Sequence, residues 1–435
     1  MSVRTRGVLA PYVPSTGDPF DVRKAGHLLR RAAFGGSLEE RQRLVKIGVA
    51  KSIAGLFEAG SGEDVDDVLE DVLGLGKIEN VRSYRVWRML AGKNRVRERM
   101  SLFWHDHFAT SDQKVKNHRM MGRQLATFDR LGLGTFDDLL LAISKDPAMI
   151  RWLDNETNVR GKANENYARE LFELFSLGEG NYTEKDIQEA ARAFTGWHLR
   201  DEEYAFKRIY SDIGEKEVFG KKGRFLGEDI VKMVVAHKAS APFLARKLLA
   251  FFVHPEPKKS EVDALAKVYL AKKRNIGDTV RVLLRSQLFF SDRAYRSMVK
   301  SPADFVVGMV RSMGGQAAPK QLALAMTKMG QAILEPPNVA GWKGGRSWIT
   351  SASWLVRSNF SARVFGGSFK LKPGAAELLN QKTAEGRADA ALAILLDGDV
   401  DAKTRKIIRA LAAKKNQTPV DVLHAVQCLP EGQIL

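Results

Sequence analysis

Apolar and polar positions are patterned most clearly between Asn164 and Trp197, where two stretches with helical spacing flank a glycine-containing break. In the first stretch, apolar residues recur as on one face of an α-helix: Ala168, Leu171, Phe172 and Phe175. The other face carries polar residues at the same spacing: Asn166, Arg169, Glu170 and Glu173. The second stretch starts after Thr183, a good N-cap with Asp186 three residues later. The segment therefore predicts two helices joined by a turn.

Helical spacing also recurs over most of the remaining chain. It predicts further helices at residues 21–34, 37–59, 80–89, 96–108, 136–144, 148–153, 227–235, 239–252, 260–271, 277–286, 301–313, 320–329, 351–360, 375–379, 388–396, 402–414 and 420–426. We therefore expect a mainly α fold, a compact multi-helix single module. Its predicted parts are an N-terminal extension (1–20), a helical core (21–365) and a C-terminal helical segment packed on that core (366–435).

Residues 199–225 depart from this helical pattern. Charged and aromatic residues alternate there, and Gly214, Gly220 and Gly223 interrupt the alternation. Alternation bounded by glycine is typical of short strands joined by tight turns. The segment therefore predicts a small β-hairpin inserted in the helical module.

Composition is that of a soluble globular protein, with 435 residues, 44% hydrophobic and 28% charged. No apolar run approaches the length needed to cross a bilayer. The N-terminus lacks the apolar stretch of a signal peptide, so we expect a cytoplasmic protein if this start is native. The single cysteine, Cys428, excludes an internal disulfide and a cysteine-based zinc cluster.

The formal charge is +18, from 69 Lys and Arg against 51 Asp and Glu. Such a charge favours polyanionic partners, namely nucleic acid, acidic polysaccharide or an anionic lipid surface. The basic residues are spread along the chain, and no zinc finger, aromatic–basic strand motif or phosphate loop accompanies them. Solvated helix faces are one interpretation of the charge, and a dedicated patch for an anionic ligand or polymer is the other.

Six sequence motifs distributed over nearly the whole chain resemble one family. They are HLLRRAAFG (27–35), RMSLFWHDHFATS (99–111), the 164–197 segment, DIGEK with FLG (212–227), ARKLLAFFV (245–253) and EPPNVAGWKGG with a following Trp (335–348). In these motifs and their order the chain resembles the bacterial domain-of-unknown-function family 1800. The resemblance implies a mostly helical single module and brings no established activity.

Family resemblance also bears on location and partners. Members of this family are often exported, and they are often encoded beside a sulfatase-like family of unknown function. The resemblance therefore implies an exported protein as the alternative location and a sulfatase-like protein as a possible partner. Ser211 stands before Asp212 where the family's pattern commonly has a histidine, so chemistry that needs this histidine is not implied here.

Candidate catalytic residues come from the WHDHF motif and from the first helix of the 164–197 segment. His105 and His107 lie about 200° apart on a helix, so simple chelation by the pair is not expected. His107 is either a structural histidine near a helix end, or a general base or metal ligand acting with Glu165 or Glu170. Glu165 and Arg169 form either a reactive site at an apolar border or a structural ion pair.

The Pro/Gly/Trp-rich loop at residues 335–348 is the second candidate region. Trp342 and Trp348 offer flat faces suited to sugar rings or bases, while Asn338 and Arg346 supply hydrogen bonds. The alternative is that both tryptophans fill the core beneath a long loop.

Other polar residues join these candidates. Asn164 and Asp212 are placed among the substrate-binding residues, beside the helix that carries Glu165. His27 with Arg30 and Arg31 is a candidate anion-binding group, although arginines beside leucines on a helix commonly extend to solvent or form ion pairs.

Two classes of function follow from these residues. The first is an enzyme that acts on an anionic or sugar-like substrate by His/carboxylate acid–base chemistry in a helical pocket, where segments 104–107, 164–173 and 338–348 converge. The second is a non-catalytic basic scaffold that binds a polyanion or a partner protein. The sequence contains no GxSxG, Walker A, GxGxxG or HExxH motif, so it identifies neither a cofactor nor a metal.

Overall fold

α-Helices dominate the computed structural model, which describes residues 7–58, 65–368 and 380–435. This part of the chain contains 22 α-helices, which confirms the predicted mainly α fold. The first ten are α1 (Val22–Ala33), α2 (Leu38–Ile47), α3 (Val49–Leu56), α4 (Val65–Gly74), α5 (Ile78–Ala91), α6 (Arg95–His107), α7 (Asp112–Val115), α8 (His118–Leu131), α9 (Phe136–Ser144) and α10 (Pro147–Trp152).

The predicted pair of helices in the 164–197 segment is present as α11 (Asn166–Glu173) and α12 (Glu184–Ala193). Thr183 caps α12, because its side chain accepts a hydrogen bond from the Asp186 backbone N–H and Asp186 in turn accepts from the Thr183 N–H. The apolar stripe of the first stretch is fully buried: Ala168, Leu171, Phe172 and Phe175.

Two small hairpins occupy the region where one was predicted. Strands β1 (Trp197–Arg200) and β2 (Glu203–Phe206) pair antiparallel, as do β3 (Lys216–Val218) and β4 (Lys221–Gly223). The first turn places Asp201 and Glu202 at φ 49° and 65° without any glycine, which is why the glycine pattern did not reveal it. The predicted β insertion is therefore confirmed, and it contains a second hairpin besides the one expected.

The last ten helices of the described residues form the second half of the fold. They are α13 (Gly227–Ala236), α14 (Ser240–Phe252), α15 (Lys259–Ala271), α16 (Ile276–Leu284), α17 (Pro302–Ser312), α18 (Pro319–Lys328), α19 (Ser351–Arg363), α20 (Ala384–Leu396), α21 (Ala402–Ala412) and α22 (Pro419–Gln427). The predicted helix at 375–379 lies outside the described residues.

Two helix predictions need correction. The stretch 37–59, expected as one helix, is divided into α2 and α3 at Gly48, whose φ of 81° is incompatible with a continuing helix. Helix α8 was not predicted, because Gly122 interrupts its pattern. That glycine serves packing instead, since a Cβ there would meet Leu73 Cδ2 at 2.6 Å.

Helix α6 lies at the centre of the fold and packs against α1, α5 and α8. Trp104 and Phe108 at its C-terminal end are wholly buried, and the Trp104 Nε1–H donates to the Gly132 carbonyl at 2.8 Å. Burying an aromatic side chain of this kind stabilises the fold by roughly 2–3 kcal/mol, so the position of this helix end is firmly fixed. No helix in the described part of the chain is long and apolar enough to cross a bilayer.

Candidate functional site

The C-terminal turn of α6 presents three consecutive polar residues in different directions. His105 and His107 are buried, with 1% and 4% of their surfaces exposed, whereas Asp106 between them is partly exposed. Successive residues on a helix are rotated by about 100°, so Asp106 points away from both histidines. This turn therefore brings one carboxylate, and no imidazole, to the molecular surface.

His107, the predicted general base, is held inside the core. Its Nε2–H donates to the Phe175 carbonyl at 3.0 Å, and its Nδ1 has no partner among the described residues. Burial lowers the pKa of His107 far below 6.5, and the positive charge of Lys247 lowers it further. The imidazole is therefore neutral, and its position argues for the structural role.

His105 is likewise neutral. Its Nε2 accepts the Leu334 backbone N–H at 2.9 Å, which ties α6 to the start of the Trp-containing loop. Burial lowers the pKa of His105 to about 3. In the described part of the chain, no group of three or more His, Cys, Asp or Glu side chains is arranged to hold a metal ion.

Asp106 is the titratable group that the sequence reasoning missed. Its Oδ1 accepts the Trp342 backbone N–H at 2.8 Å, and among the described residues its Oδ2 has no hydrogen-bond partner. Burial raises the pKa of Asp106 to about 6, although the Trp342 N–H and Lys247 both act in the opposite direction. The one available signal was its position between two histidines in WHDHF.

Lys247 on α14 is the cation whose charge acts on this carboxylate, although the two groups do not form an ion pair. Burial lowers the pKa of Lys247 below its usual value, and attraction by Asp106 offsets part of the effect. Its ammonium lies 5.5 Å from the centre of the Phe243 ring. Within the described residues Lys247 makes no hydrogen bond or ion pair, so its donors are available to a ligand.

The Trp-containing loop closes over the end of α6 through a glycine. Gly341 has a φ of 82°, and a Cβ there would lie 2.3 Å from Asp106 Oδ1. Only glycine permits this approach, which places the Trp342 N–H on the carboxylate. The Trp342 ring meets the His105 ring edge-on at 5.3 Å.

The other residues predicted from this loop divide between core and surface. Trp342 and Trp348 are each 8% exposed, so both mainly fill the core. Asn338 is exposed, and its side chain accepts the Ala340 N–H at 2.9 Å. Arg346 is also exposed, in a short 3-10 turn.

At the start of α11, Arg169 pairs with Glu165 but not with Glu170. Arg169 bonds both carboxylate oxygens of Glu184 at 2.8 Å and Glu165 at 3.2 Å, with more than a third of the Glu165 and Arg169 side chains exposed. Burial and then repulsion by Glu173 raise the pKa of Glu170. Glu165 and Arg169 therefore do form an ion pair, and it is exposed rather than buried.

Asn164 and Asp212 have local roles. The Asn164 amide donates to the Asp154 carbonyl and Thr157 Oγ1, which fixes the turn before α11. Asp212 pairs with Arg192 at 2.8 Å, and although burial alone would raise the pKa of Asp212, bonding to Arg192 lowers it.

The predicted segments thus meet at α6 mainly through packing. Phe175, just after α11, contacts His107, and Trp342 contacts His105 and Asp106. Among the described residues, no hydrogen bond or ion pair links the carboxylates of α11 to this contact. Asp106 and Lys247 therefore form the candidate site, in place of His107 and the α11 carboxylates.

Comparison with known proteins gives a family and no activity. The family model described as "protein of unknown function (DUF1800)" matches residues 27–433, nearly the whole chain. No curated protein and no solved structure matches the chain.

Proposed function

The chain belongs to the DUF1800 family of proteins of unknown function, and from its geometry we propose that it is an enzyme acting on a small anionic substrate. Asp106 transfers a proton to or from this substrate, and Lys247 holds the substrate's negative charge. The proposal keeps the acid–base chemistry expected from the sequence and moves it from His107 to Asp106.

One observation carries the proposal. A partly exposed carboxyl group with a pKa of about 6 and an unbonded Oδ2 interacts electrostatically with an ammonium that makes no ion pair in the described part of the chain. General acid–base catalysts work best when their pKa lies near the operating pH. Surface carboxylates in simple structural roles are instead paired, as Glu165 is with Arg169.

The chemistry follows from the two charges. The Asp106 carboxylate takes a proton from the substrate through Oδ2 and becomes a neutral carboxylic acid. The negative charge that appears on the substrate is then stabilised by the Lys247 ammonium, which stays protonated. The Trp342 N–H holds Oδ1 throughout and so keeps the second oxygen in position.

The test uses Asp106→Asn, which keeps side-chain size and the acceptor for Trp342. A thermal-shift screen of small carboxylates, phosphates and sugar acids should identify compounds that stabilise the parent protein. NMR should then detect turnover of these compounds by the parent protein and none by Asp106→Asn. Lys247→Met should lose the thermal shift itself.

Stability provides a second measurement. The pKa of Asp106 is raised from 3.8 to about 6, so its contribution is favourable below pH 3.8 and is lost as the pH rises through 6. At pH 8 the free energy of unfolding of Asp106→Asn should therefore exceed that of the parent by roughly 1–3 kcal/mol. The control Asp154→Asn changes a half-exposed aspartate in a left-handed conformation that asparagine tolerates; it removes only a screened ion pair with Lys114 and should lower the free energy of unfolding by less than about 1 kcal/mol.

Two results would contradict the enzyme proposal. One is unchanged turnover in Asp106→Asn. The other is salt-sensitive binding of heparin or single-stranded DNA that persists in Lys247→Met, with no small-molecule hit. The second result would support the polyanion-binding scaffold, because such binding weakens steeply with salt and depends on total charge.

A further inference from the structure

Among the described residues, three buried cationic side chains form no ion pair with a carboxylate: Arg31, Lys300 and Arg357. Arg31 is fully buried and its Nη2 donates to the Ala294 carbonyl at 2.6 Å, while its Nε and Nη1 have no partner in the described residues. Lys300 Nζ donates to the Gly432 carbonyl and Arg357 Nη2 to the Lys300 carbonyl, each at 2.8 Å. These bonds reach neutral oxygens, so the one carboxylate that acts on all three charges, Asp304, does so without forming an ion pair with any of them.

The nearby carboxylates form ion pairs with other arginines. Asp304 pairs with Arg99. Asp397 pairs with Arg30 at 2.5 Å and also with Arg41, and its side chain is wholly buried. Arg30 nevertheless keeps its Nη2 buried and without a partner among the described residues. Positive charge therefore exceeds negative charge inside this region.

A cavity lies beside Lys300 and the Arg30–Arg41 pair, whereas Arg31 and Arg357 do not line it. It measures about 20 Å³, and its lining includes Arg30, Arg41, Lys300 and Asp304, together with Gly26 and Gly308. A cavity of roughly 10–15 Å³ already accommodates one water-sized particle. The space therefore suits a monatomic ion and is too small for phosphate or sulfate.

Electrostatics at Lys300 favour a negative occupant. Burial lowers the pKa of Lys300 most, and repulsion by Arg30 and Arg357 lowers it further, to about 7. The negative charge of Asp304 acts in the opposite direction. Burial also lowers the pKa of Arg31 to about 9. A water molecule would satisfy hydrogen bonds here without offsetting charge, whereas an anion does both.

We propose that this cavity is a binding site for one halide-sized inorganic anion, held by Arg30 Nη2 and Lys300 Nζ. The anion neutralises the excess charge where α1 and α17 meet the last helices of the chain. The site shares no residue with Asp106 and Lys247 and does not depend on the proposed enzyme activity.

The first test measures thermal unfolding of the whole protein at pH 7 and constant ionic strength, while sodium chloride replaces sodium gluconate. Gluconate is too large for the cavity. The melting temperature should rise with chloride and level off, by about 3 °C when chloride reaches 100 times its dissociation constant. Lys300→Met should lose this saturating rise.

The control is Lys216→Met, which removes another buried lysine, one that interacts with Asp212 instead. Lys216→Met should keep the chloride response of the parent. Equal melting temperatures in chloride and gluconate would overturn the proposal, as would an undiminished response in Lys300→Met.

A second measurement needs no variant. Crystals of the parent protein grown or soaked in sodium bromide should show an anomalous scattering peak between Arg30 and Lys300. Bromide peaks confined to the protein surface would overturn the site, whatever the folding behaviour of Lys300→Met.

Discussion

Asp397 provides the sharpest test of what joins the last helices to the N-terminal ones. Its carboxylate follows α20, is wholly buried and binds Arg30 of α1 and Arg41 of α2. The residue has a φ of 60°, a conformation that asparagine also tolerates. Asp397→Asn therefore removes the charge with little change in shape or backbone strain.

The expected loss is large because two arginines stay buried without a counter-charge. Breaking a buried ion pair from one side costs about 3–5 kcal/mol. Unfolding entropy of about 2.1 cal/mol/K per residue converts this loss into a fall of roughly 3–5 °C in melting temperature for a chain of this length. Thermal melts and urea unfolding at fixed chloride concentration measure both quantities.

The matched control is Asp389→Asn, since Asp389 also binds two arginines, Arg405 and Arg409, at 2.8 and 2.5 Å. Its side chain is 37% exposed, so solvent screens the pairs and the loss should be at most about 1 kcal/mol. Equal losses in Asp397→Asn and Asp389→Asn would refute the reasoning that burial decides the magnitude.

The stability that Asp397 contributes should also depend on pH in a predictable direction. Burial alone would raise the pKa of Asp397, but Arg30 and Arg41 outweigh it and lower the pKa below 3.8. The stability that this carboxylate contributes is therefore complete above the unfolded pKa and is lost as the pH falls through the folded one. The difference between parent and Asp397→Asn should be constant at pH 6–7 and shrink below about pH 4.

Two smaller perturbations test the surface and the loop. Glu165→Gln should lower the free energy of unfolding by less than about 1 kcal/mol in a urea titration, because its pair with Arg169 is more than a third exposed; a loss of 3 kcal/mol or more would restore the buried-pair interpretation. Gly341→Ala should destabilise more than Gly345→Ala in thermal melts. Both glycines have positive φ, but only at Gly341 would a Cβ collide with Asp106, whereas nothing lies within 4 Å of Gly345; equal melting temperatures would show that the close approach is unimportant.

Helices were predictable where local signals were sufficient. Residues 136–144 form α9 with the predicted bounds, since Thr135 caps the first turn and the apolar stripe is continuous. Helix α8 needed knowledge of a distant partner, because its Gly122 makes sense only against Leu73 of α4. A glycine inside a helical pattern of apolar residues indicates a break in the helix until the neighbouring helix is known.

The candidate site was harder to predict, because burial decides which polar residue is chemically competent. WHDHF offers two histidines and one aspartate, and histidine is the usual proton-transfer group near neutral pH. That expectation assumes exposure to solvent. Here both imidazoles are buried in the core, which lowers their pKa values. Asp106 is only partly buried, and for a carboxyl group burial raises the pKa.

Burial also decides the roles of the other charged groups. On α11 the alternation of charges suggested chemistry, yet Glu165 and Arg169 reach solvent and their pairing is screened. On α1 the His27, Arg30 and Arg31 group was a candidate for anion binding, with solvent-reaching or ion-paired arginines as the alternative; Arg31 is wholly buried and forms no ion pair within the described residues. Sequence spacing locates charges along a helix, but which face meets the core is set by tertiary packing. A buried cation beside a cavity, as Lys300 is, therefore says more about an anion partner than the whole formal charge of +18 does, because a bound water would not offset its charge.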